Sequence, residues 1–235
     1  IEPKTGEVLS LVSAPNYDPS LLVGRKSSRN YRELALDTLA KPLFDRGLLA
    51  QYAPGSPFKT LNALIALQEG VIDTETAYLC KKGHYYARGM FMDCHCRMGT
   101  KNNLLTGIFR SCNTYFANIY RMIIDHSGDN VEDGMNIWNR HLKSFGLGNY
   151  LGYDLPTGKK GFIPDAEYYN YWYKKGGWKS ATVVSNAIGQ GELLATPIQM
   201  ANFTAAIANR GYYIRPHFLK SVNNGKAEIL SLIHI

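Results

Sequence analysis

The chain has 235 residues, of which 45% are apolar and 12% aromatic. That composition excludes a disordered chain and allows one sizeable core. No apolar run approaches the ~20 residues that a helical membrane span requires. The net charge is +7, but the basic residues occur as scattered pairs such as Lys81-Lys82 and Lys174-Lys175. The sequence therefore predicts a basic surface and no nucleic-acid partner.

The first half of the chain contains one predicted strand and one predicted helix. Residues 6–13 (GEVLSLVS) are rich in Val and Leu, which favours a strand. After the Pro54-Gly55 break, apolar spacing predicts a helix over about 56–69 that ends at Gly70. Residues 71–105 are expected to be irregular, and they contain three of the four cysteines.

The second half is predicted to be mainly helical. Helices are expected over about 113–125 and 131–145, followed by a loop over 149–180 that is rich in Tyr, Gly and Lys. A further helix begins at Thr196 as N-cap with Pro197 at its first position, and Gly211 ends it. Its inward side chains are expected to be Met200, Phe203, Thr204 and Ile207. A strand over 212–222 follows, and the order of elements indicates an α+β fold.

Ser56 and Lys59 form an S-x-x-K pair at the start of the predicted helix over 56–69. Residues three apart share a helix face, so the amine lies one turn from the hydroxyl. A serine becomes a nucleophile when a base takes its proton, and a buried lysine with a lowered pKa can be that base. Backbone N–H groups at the helix start are expected to favour a developing oxyanion. The motif also occurs by chance, so it does not identify a site alone.

A second short polar motif, Ser111-Cys112-Asn113, stands directly before the helix over 113–125. In an extended turn, alternate side chains point the same way, so Ser111 and Asn113 would face one side and Cys112 the other. A second hydroxyl can relay a proton, and an amide can hold a peptide substrate. The alternative is that Asn113 only caps the helix.

These motifs resemble those of penicillin-binding proteins, and more narrowly the class B transpeptidases of cell elongation, the penicillin-binding protein 2 type. Four ordered segments carry the resemblance: KTGEVLSLVSAPNYDPS, YAPGSPFKT, SCNTYF and AIGQGELLATPIQMANFTAAIANRGYY. The resemblance covers nearly the whole chain. It implies a β-lactamase/transpeptidase-like fold, with an antiparallel sheet flanked by helices and an all-helical subdomain.

By this resemblance, Ser56 is the acylated nucleophile, Lys59 its general base and Ser111 a proton relay, while Asn113 binds the donor peptide. The implied reaction is peptidoglycan cross-linking on D-Ala-D-Ala stem peptides, and β-lactams would acylate Ser56. No cofactor is implied for catalysis. The implied partners are a glycan polymerase and cell-elongation proteins. The implied location is the periplasmic face of the inner membrane, through an anchor outside this chain.

The chain departs from the family pattern at the third motif, K-T-G followed by Thr or Ser. Lys4-Thr5-Gly6 precedes the nucleophile, and Thr157-Gly158-Lys159 is reversed, so neither is assigned to catalysis. We therefore interpret residues 1–235 as a single partial transpeptidase domain from a longer protein, with weak or no turnover. Residues 231–235 do not resemble the family continuation and are interpreted as a candidate foreign tail.

Two other functions remain open at this stage. A β-lactamase would hydrolyse the acyl-enzyme, but no added deacylating carboxylate is evident near Ser56, and the G-Q-G segment argues against it. A β-lactam sensor would be acylated and then signal, which needs a membrane signalling region.

The four cysteines, Cys80, Cys94, Cys96 and Cys112, lie within a 33-residue window. Four thiolates can bind Zn²⁺ tetrahedrally, although the C-x-C spacing is not diagnostic. His84 or His95 could replace one thiolate. Some relatives of the elongation class resemble this arrangement, with a metal beside the second motif. The alternatives are disulfides, in which Cys94 and Cys96 are unsuited to each other, or packed thiols.

Overall fold

The computed structural model describes residues 1–222, 225–226 and 232–234. The helices are α1 (Ser27–Leu36), α2 (Lys59–Gln68), α3 (Leu104–Phe109), α4 (Asn113–His126), α5 (Val131–Ser144), α6 (Ala166–Tyr173) and α7 (Pro197–Ala208). The strands are β1 (Tyr78–Leu79), β2 (Gly83–Ala87), β3 (Met90–Asp93), β4 (Lys101–Asn102), β5 (Tyr212–Ile214), β6 (Ser221–Val222), β7 (Gly225–Lys226) and β8 (Leu232–His234). Turns of 3-10 helix occur at Pro19–Leu22, Ser56–Phe58 and Val184–Ile188.

The described strands form four two-stranded antiparallel ladders, β1–β4, β2–β3, β5–β8 and β6–β7. This confirms an α+β fold. The described strands do not, however, form the single flanked sheet that the resemblance implies. Within the described residues, no helix is long and apolar enough to cross a bilayer.

The chain divides into two compact units. The first comprises residues 1–52, 149–160 and the described residues from 195 onward; the second comprises residues 53–148 and 161–194. In the first unit, Thr196 and Gln199 form a reciprocal capping box at the start of α7, as the sequence predicts for Thr196. In the same unit β5 pairs with β8.

The core of the second unit is built around α4. The expected apolar stripe of this helix is fully buried: Phe116, Ile119, Tyr120, Ile123 and Ile124. Helix α5 packs against α4 through the buried Met135, Trp138 and Leu142. The buried Asn62 of α2 accepts a hydrogen bond from Trp138 Nε1 at 2.8 Å and donates to the carbonyls of Asn186 and Ala187. The start of α2 is thereby tied to a fully packed core.

Both predicted strands of the first unit are shorter than expected. Of residues 6–13, only Glu7 forms a bridge, with His217, because no ladder continues beside it in the described structure. Leu9 and Val12 are exposed. The predicted strand over 212–222 is interrupted after Ile214. The interruption coincides with Pro216, which lacks an amide donor, and with the N–H groups of Phe218 and Leu219, which bond to the Asp154 carboxylate.

Three further expectations need correction. The predicted loop over 149–180 contains α6, which the Asp165 side chain caps by accepting from Tyr168 N. The expected irregular segment 71–105 contains the β1–β4 and β2–β3 ladders. Thr204 is exposed rather than inward, since its hydroxyl bonds to the Met200 carbonyl of its own helix. Of residues 231–235, positions 232–234 form β8, and positions 231 and 235 lie outside the described residues.

Candidate active site

Ser56 lies at the start of a 3-10 turn that leads directly into α2. Gly55 precedes it with φ 68°, a left-handed conformation that glycine adopts without steric cost. The Gly55 N–H donates to the Gly189 carbonyl at 2.7 Å, which ties this turn to the segment after Val184–Ile188. The Ser56 side chain is exposed, so its hydroxyl is open to a substrate.

Lys59 is the first residue of α2, and its side chain is buried among polar partners. Its ammonium nitrogen Nζ donates to Ser111 Oγ at 2.8 Å, to the Ser111 carbonyl at 2.8 Å and to Asn113 Oδ1 at 2.6 Å. Three acceptors match the three donors of a charged lysine. Both halves of the second motif thus converge on the amine of the first.

The two serine hydroxyls complete a continuous hydrogen-bonded chain. Ser111 Oγ lies 3.2 Å from Ser56 Oγ, and in the described structure the hydrogen bonds of Lys59 Nζ go to Ser111 and Asn113 rather than to the Ser56 hydroxyl. Ser111 has φ 48°, which is uncommon for a residue with a β-carbon and carries strain. The sequence-based expectation that S-x-x-K and S-x-N meet is confirmed, and Ser111 stands between the nucleophile candidate and the base candidate.

The second motif differs in detail from the expected extended turn. Asn113 is the first residue of α4, and the cap acceptor is Cys112 Sγ, which accepts from Tyr115 N at 3.5 Å. The alternative reading of Asn113 as a simple N-cap is therefore wrong. Its amide nitrogen Nδ2 donates to the Asp93 carbonyl at 2.7 Å, and this contact fixes its orientation. The Cys112 sulfur also lies 3.7 Å from Cys94 Sγ and accepts from Asn102 Nδ2 at 3.5 Å.

Burial makes the neutral form of the Lys59 amine more accessible than it is for a lysine in water. Burial lowers the pKa of Lys59 below its usual range because a charged ammonium loses its hydration, while negative charge on the nearby cysteine thiolates opposes that shift. The ring of Phe116 lies 5.8 Å from Nζ and forms part of this enclosure. A lowered pKa is the condition under which a lysine can accept a proton near neutral pH.

Two of the amides at the helix start are not available to an oxyanion site. Pro57 has no N–H, the Phe58 N–H donates to the Gly55 carbonyl at 3.0 Å, and the Lys59 N–H donates back to residues 56 and 57. These donors are committed to the 3-10 turn. The 3-10 turn engages these N–H groups in its own hydrogen bonds, which the motif spacing alone does not predict.

The four cysteines are brought together beside the second motif. All are buried and free, and their Sγ atoms lie within 4.8 Å of one another. The Sγ atoms of Cys94 and Cys112 are 3.7 Å apart. Zn–S bonds of about 2.3 Å in a tetrahedron place sulfurs about 3.8 Å apart, so the donor set fits a zinc ion. A disulfide bond is not formed among them.

The cysteine thiols differ in how readily they ionise. Burial opposes ionisation of Cys94, but hydrogen bonds from backbone amides and neighbouring thiols lower the pKa of Cys94 to about 6. Burial, together with negative charge at Cys94, raises the pKa of Cys112. One thiolate is favoured, and further ones need a compensating positive charge. The two histidines considered as ligands lie outside the four-sulfur group: His95 Nε2 contacts the Arg110 carbonyl, and His84 faces Arg121.

The cysteine cluster and the candidate active site share backbone. Cys112 separates Ser111 from Asn113, and Cys94 directly follows Asp93, whose carbonyl holds the Asn113 amide. The cluster therefore adjoins the second motif directly at Cys112 and, through Asp93, adjoins the backbone that holds Asn113. Sequence reasoning missed Asp93, because its contribution comes from a backbone carbonyl and no side-chain pattern marks it.

Gly189 is a second residue whose contribution to the site the motifs do not predict. Its φ is 69°, and a β-carbon there would lie 2.4 Å from the Gly55 carbonyl oxygen and 2.7 Å from Phe58 Cβ. We expect Gly189→Ala to destabilise the protein by roughly 2 kcal/mol or more and to disturb the Ser56 turn. Thermal unfolding measures this. Gly176→Ala is the control, because φ there is 76° but nothing lies within 4 Å; an equal loss in both variants would contradict a steric effect.

A serine, a buried lysine and a bridging hydroxyl are the parts of a lysine-assisted serine acyltransferase site, and S-x-x-K with a second serine motif is typical of β-lactam-recognising enzymes. The family of penicillin-binding protein transpeptidase domains matches residues 1–232. The chain belongs to this family, which confirms the resemblance stated from the sequence.

A curated relative is the peptidoglycan D,D-transpeptidase MrdA of Acinetobacter baumannii, which is 34% identical over 232 residues, covering 96% of this chain and 32% of that protein. The chain thus spans about a third of the length of this relative.

Two solved structures share the fold. Pseudomonas aeruginosa PBP2 in complex with WCK 5153 aligns with TM-score 0.85 and 30% identity, over 100% of this chain and 51% of that chain. PBP2 from Helicobacter pylori in complex with MreC aligns with TM-score 0.82 and 27% identity, over 100% of this chain and 40% of that chain. These likenesses confirm the transpeptidase-like fold class.

Proposed function

We propose that this chain is the acyl-transfer part of a peptidoglycan D,D-transpeptidase of the penicillin-binding protein 2 type. The observation that carries the proposal is the chain of contacts from Ser56 Oγ through Ser111 Oγ to Lys59 Nζ, at 3.2 and 2.8 Å. It supplies a nucleophile, a relay and a base within hydrogen-bond reach of one another. The names of the relatives agree with this activity.

In the first step, Ser56 Oγ attacks the carbonyl between the two terminal D-Ala residues of a stem peptide. The hydroxyl proton passes through Ser111 Oγ to neutral Lys59. As the C–N bond breaks, the same path returns a proton to the departing D-Ala amine, and an ester to Ser56 remains. Asn113 keeps one Nδ2 hydrogen beyond its bond to Asp93, and this hydrogen is free to donate to the donor peptide.

In the second step, an amine from a neighbouring stem attacks the ester carbonyl. Its proton returns through the same path to Ser56 Oγ, and a new amide cross-links the two stems. β-Lactams imitate the D-Ala-D-Ala end, and ring opening leaves them on Ser56.

Covalent labelling by a fluorescent penicillin, followed by release of the label, tests the proposed function. We expect an acyl-enzyme that persists for many minutes, because no carboxylate positioned to activate water contacts Ser56 in the described residues. Rapid release with turnover would favour the β-lactamase alternative instead. Persistent label without any cross-linking by the full-length protein would favour the sensor alternative.

We also propose partners and a location for the full-length protein. The Helicobacter pylori neighbour was solved with MreC, and this supports a cell-elongation protein as partner of the full-length protein. A glycan polymerase that supplies strands for cross-linking is the second proposed partner. A peptidoglycan substrate implies action on the periplasmic side of the inner membrane.

We also propose that Cys80, Cys94, Cys96 and Cys112 hold a structural zinc ion. The support is a buried four-sulfur group of tetrahedral size, whose multiple ionisation needs a positive charge. A bound ion would supply a cross-link between the β2–β3 hairpin region and the second motif. Through this cross-link, the chain would hold Ser111 and Asn113 toward Lys59.

We expect one zinc per chain in the purified protein, and we expect Cys112→Ser to lose it. Loss should cost about 3 kcal/mol or more of stability and slow penicillin labelling at least tenfold, since the second motif loses its support. Metal analysis, thermal unfolding and labelling measure this. His95→Ala is the matched control, because His95 is adjacent but outside the sulfur group, and it should keep the metal. A metal-free, fully stable wild-type protein would contradict the proposal and favour packed thiols.

A further inference from the structure

We propose that the exposed end of α6 is a second binding surface for the cell-wall polymer, outside the Ser56 site. The aromatic–lysine surface consists of Tyr171, Trp172, Tyr173, Lys174, Lys175 and Lys179. This inference rests on the proposed function, because it takes the polymer to be peptidoglycan, a glycan whose stem peptides carry carboxylates.

The first argument is the unusual exposure of three consecutive aromatic side chains. Tyr171, Trp172 and Tyr173 are 79%, 63% and 43% exposed. The rings of Tyr171 and Trp172 contact each other edge to face at 5.2 Å, and Trp172 lies 6.3 Å from Tyr168 one turn earlier. A cluster of large exposed rings marks an interaction site more often than a single exposed ring does.

The second argument is that buried anchors hold this surface on both sides. Before it, buried Tyr169 donates to Glu192 at 2.8 Å. After it, Trp178 is 1% exposed and donates to Asn170 Oδ1 at 2.8 Å, and Ser180 Oγ donates to Asp125 Oδ2 at 2.8 Å. The exposed rings therefore stand on a fixed base, and little conformational entropy is lost when a ligand binds.

The third argument is charge. Residues 166–180 contain three lysines, Lys174, Lys175 and Lys179, against one acid, Glu167. Aromatic faces pack against the C–H faces of sugar rings while their polar atoms stay in water. Lysine ammonium groups attract the carboxylates of stem peptides. The surface thus offers both stacking and cationic contacts to an anionic glycopeptide.

The composition favours the wall polymer over a membrane surface, which also attracts Trp, Tyr and Lys. The exposed stretch 171–177 reads YWYKKGG and contains no aliphatic side chain. Helices that lie in a bilayer surface insert a broader apolar face that includes such residues. The aromatic–lysine surface also belongs to the same compact unit as Ser56.

Co-sedimentation of the full-length protein with purified peptidoglycan sacculi tests the proposal. We expect Trp172→Ala to weaken binding about fivefold or more. The double variant Lys174→Gln/Lys175→Gln should weaken it about two- to threefold at low salt, with a smaller effect at high salt. Tyr85→Ala is the matched control, because Tyr85 is 73% exposed in the same unit but lies outside this surface, and it should bind like the wild type.

Penicillin labelling separates this surface from the Ser56 site. Both surface variants should label at the wild-type rate, and wild-type protein acylated with penicillin should still sediment with sacculi. Unchanged binding in Trp172→Ala, an equal loss in Tyr85→Ala, or loss of binding on acylation would each overturn the inference. Stronger binding to phosphatidylglycerol vesicles than to sacculi would also overturn the inference, provided that the same substitutions abolished the vesicle binding. If no variant could be labelled at all, the proposed function would fail while the sedimentation result still decided this inference.

Discussion

Ser56→Ala abolishes covalent labelling by penicillin, because the substitution removes the only atom to which the proposed mechanism attaches the acyl group. No slower route remains, since Ser111 and Lys59 serve Ser56 and neither replaces its oxygen. The full-length variant, incubated with excess fluorescent penicillin and denatured, should carry no label above background. Its unfolding temperature should stay close to that of the wild type, because the Ser56 side chain is exposed.

Two further serines make the Ser56 experiment specific. Ser144→Ala is the control, since Ser144 Oγ bonds to the His141 carbonyl within α5, and labelling should be unchanged. Ser111→Ala should still label, but roughly 10²-fold more slowly, as expected when a proton relay is lost. Label that persists in Ser56→Ala would remove this serine from its assigned role.

Lys59→Ala should slow acylation by roughly 10²–10⁴-fold, the usual contribution of a general base. Lys59→Arg should not rescue the rate, although it keeps a positive charge, because an arginine does not lose its proton in proteins. This pair of variants separates proton transfer from simple charge. Stopped-flow measurement of the acylation rate provides the comparison.

The control for the lysine experiment is Lys101→Ala, an exposed lysine of the same unit, which should acylate normally. Unfolding temperatures accompany each rate, because Lys59 also bonds to Asn113 and its removal frees that amide. An arginine variant with near wild-type acylation would contradict the base role and leave Lys59 as an electrostatic residue.

The sequence predicted the helices well where local signals were strong. The helices that begin at Asn113, Val131 and Pro197 have clear apolar periodicity or capping residues, and the structure places all three at the expected positions. The prediction of a strand over residues 6–13 was wrong, because a strand depends on hydrogen-bonding partners that lie far away in the chain. The helix at Ala166–Tyr173 was missed because its aromatic residues are weak helix formers, and tertiary packing of Tyr169 supports it.

The candidate site was predictable in its residues but not in its details. The motif spacings placed Ser56, Lys59, Ser111 and Asn113 in one site, as the hydrogen bonds show. They could not show that the Ser111 hydroxyl, rather than the Lys59 amine, contacts the Ser56 hydroxyl, because the backbone of Ser111 is left-handed and not extended. Nor could they show the role of the Asp93 carbonyl, since any residue type can supply one.

Locating the penicilloyl group by tandem mass spectrometry tests the central claim most directly. Trypsin cuts after Arg46, Lys59, Arg110 and Arg121, so the two candidate serines fall on separate peptides, residues 47–59 and 111–121. The proposed mechanism predicts the added mass on Ser56 of peptide 47–59 alone. An adduct on Ser111 in peptide 111–121, with peptide 47–59 unmodified, would contradict it.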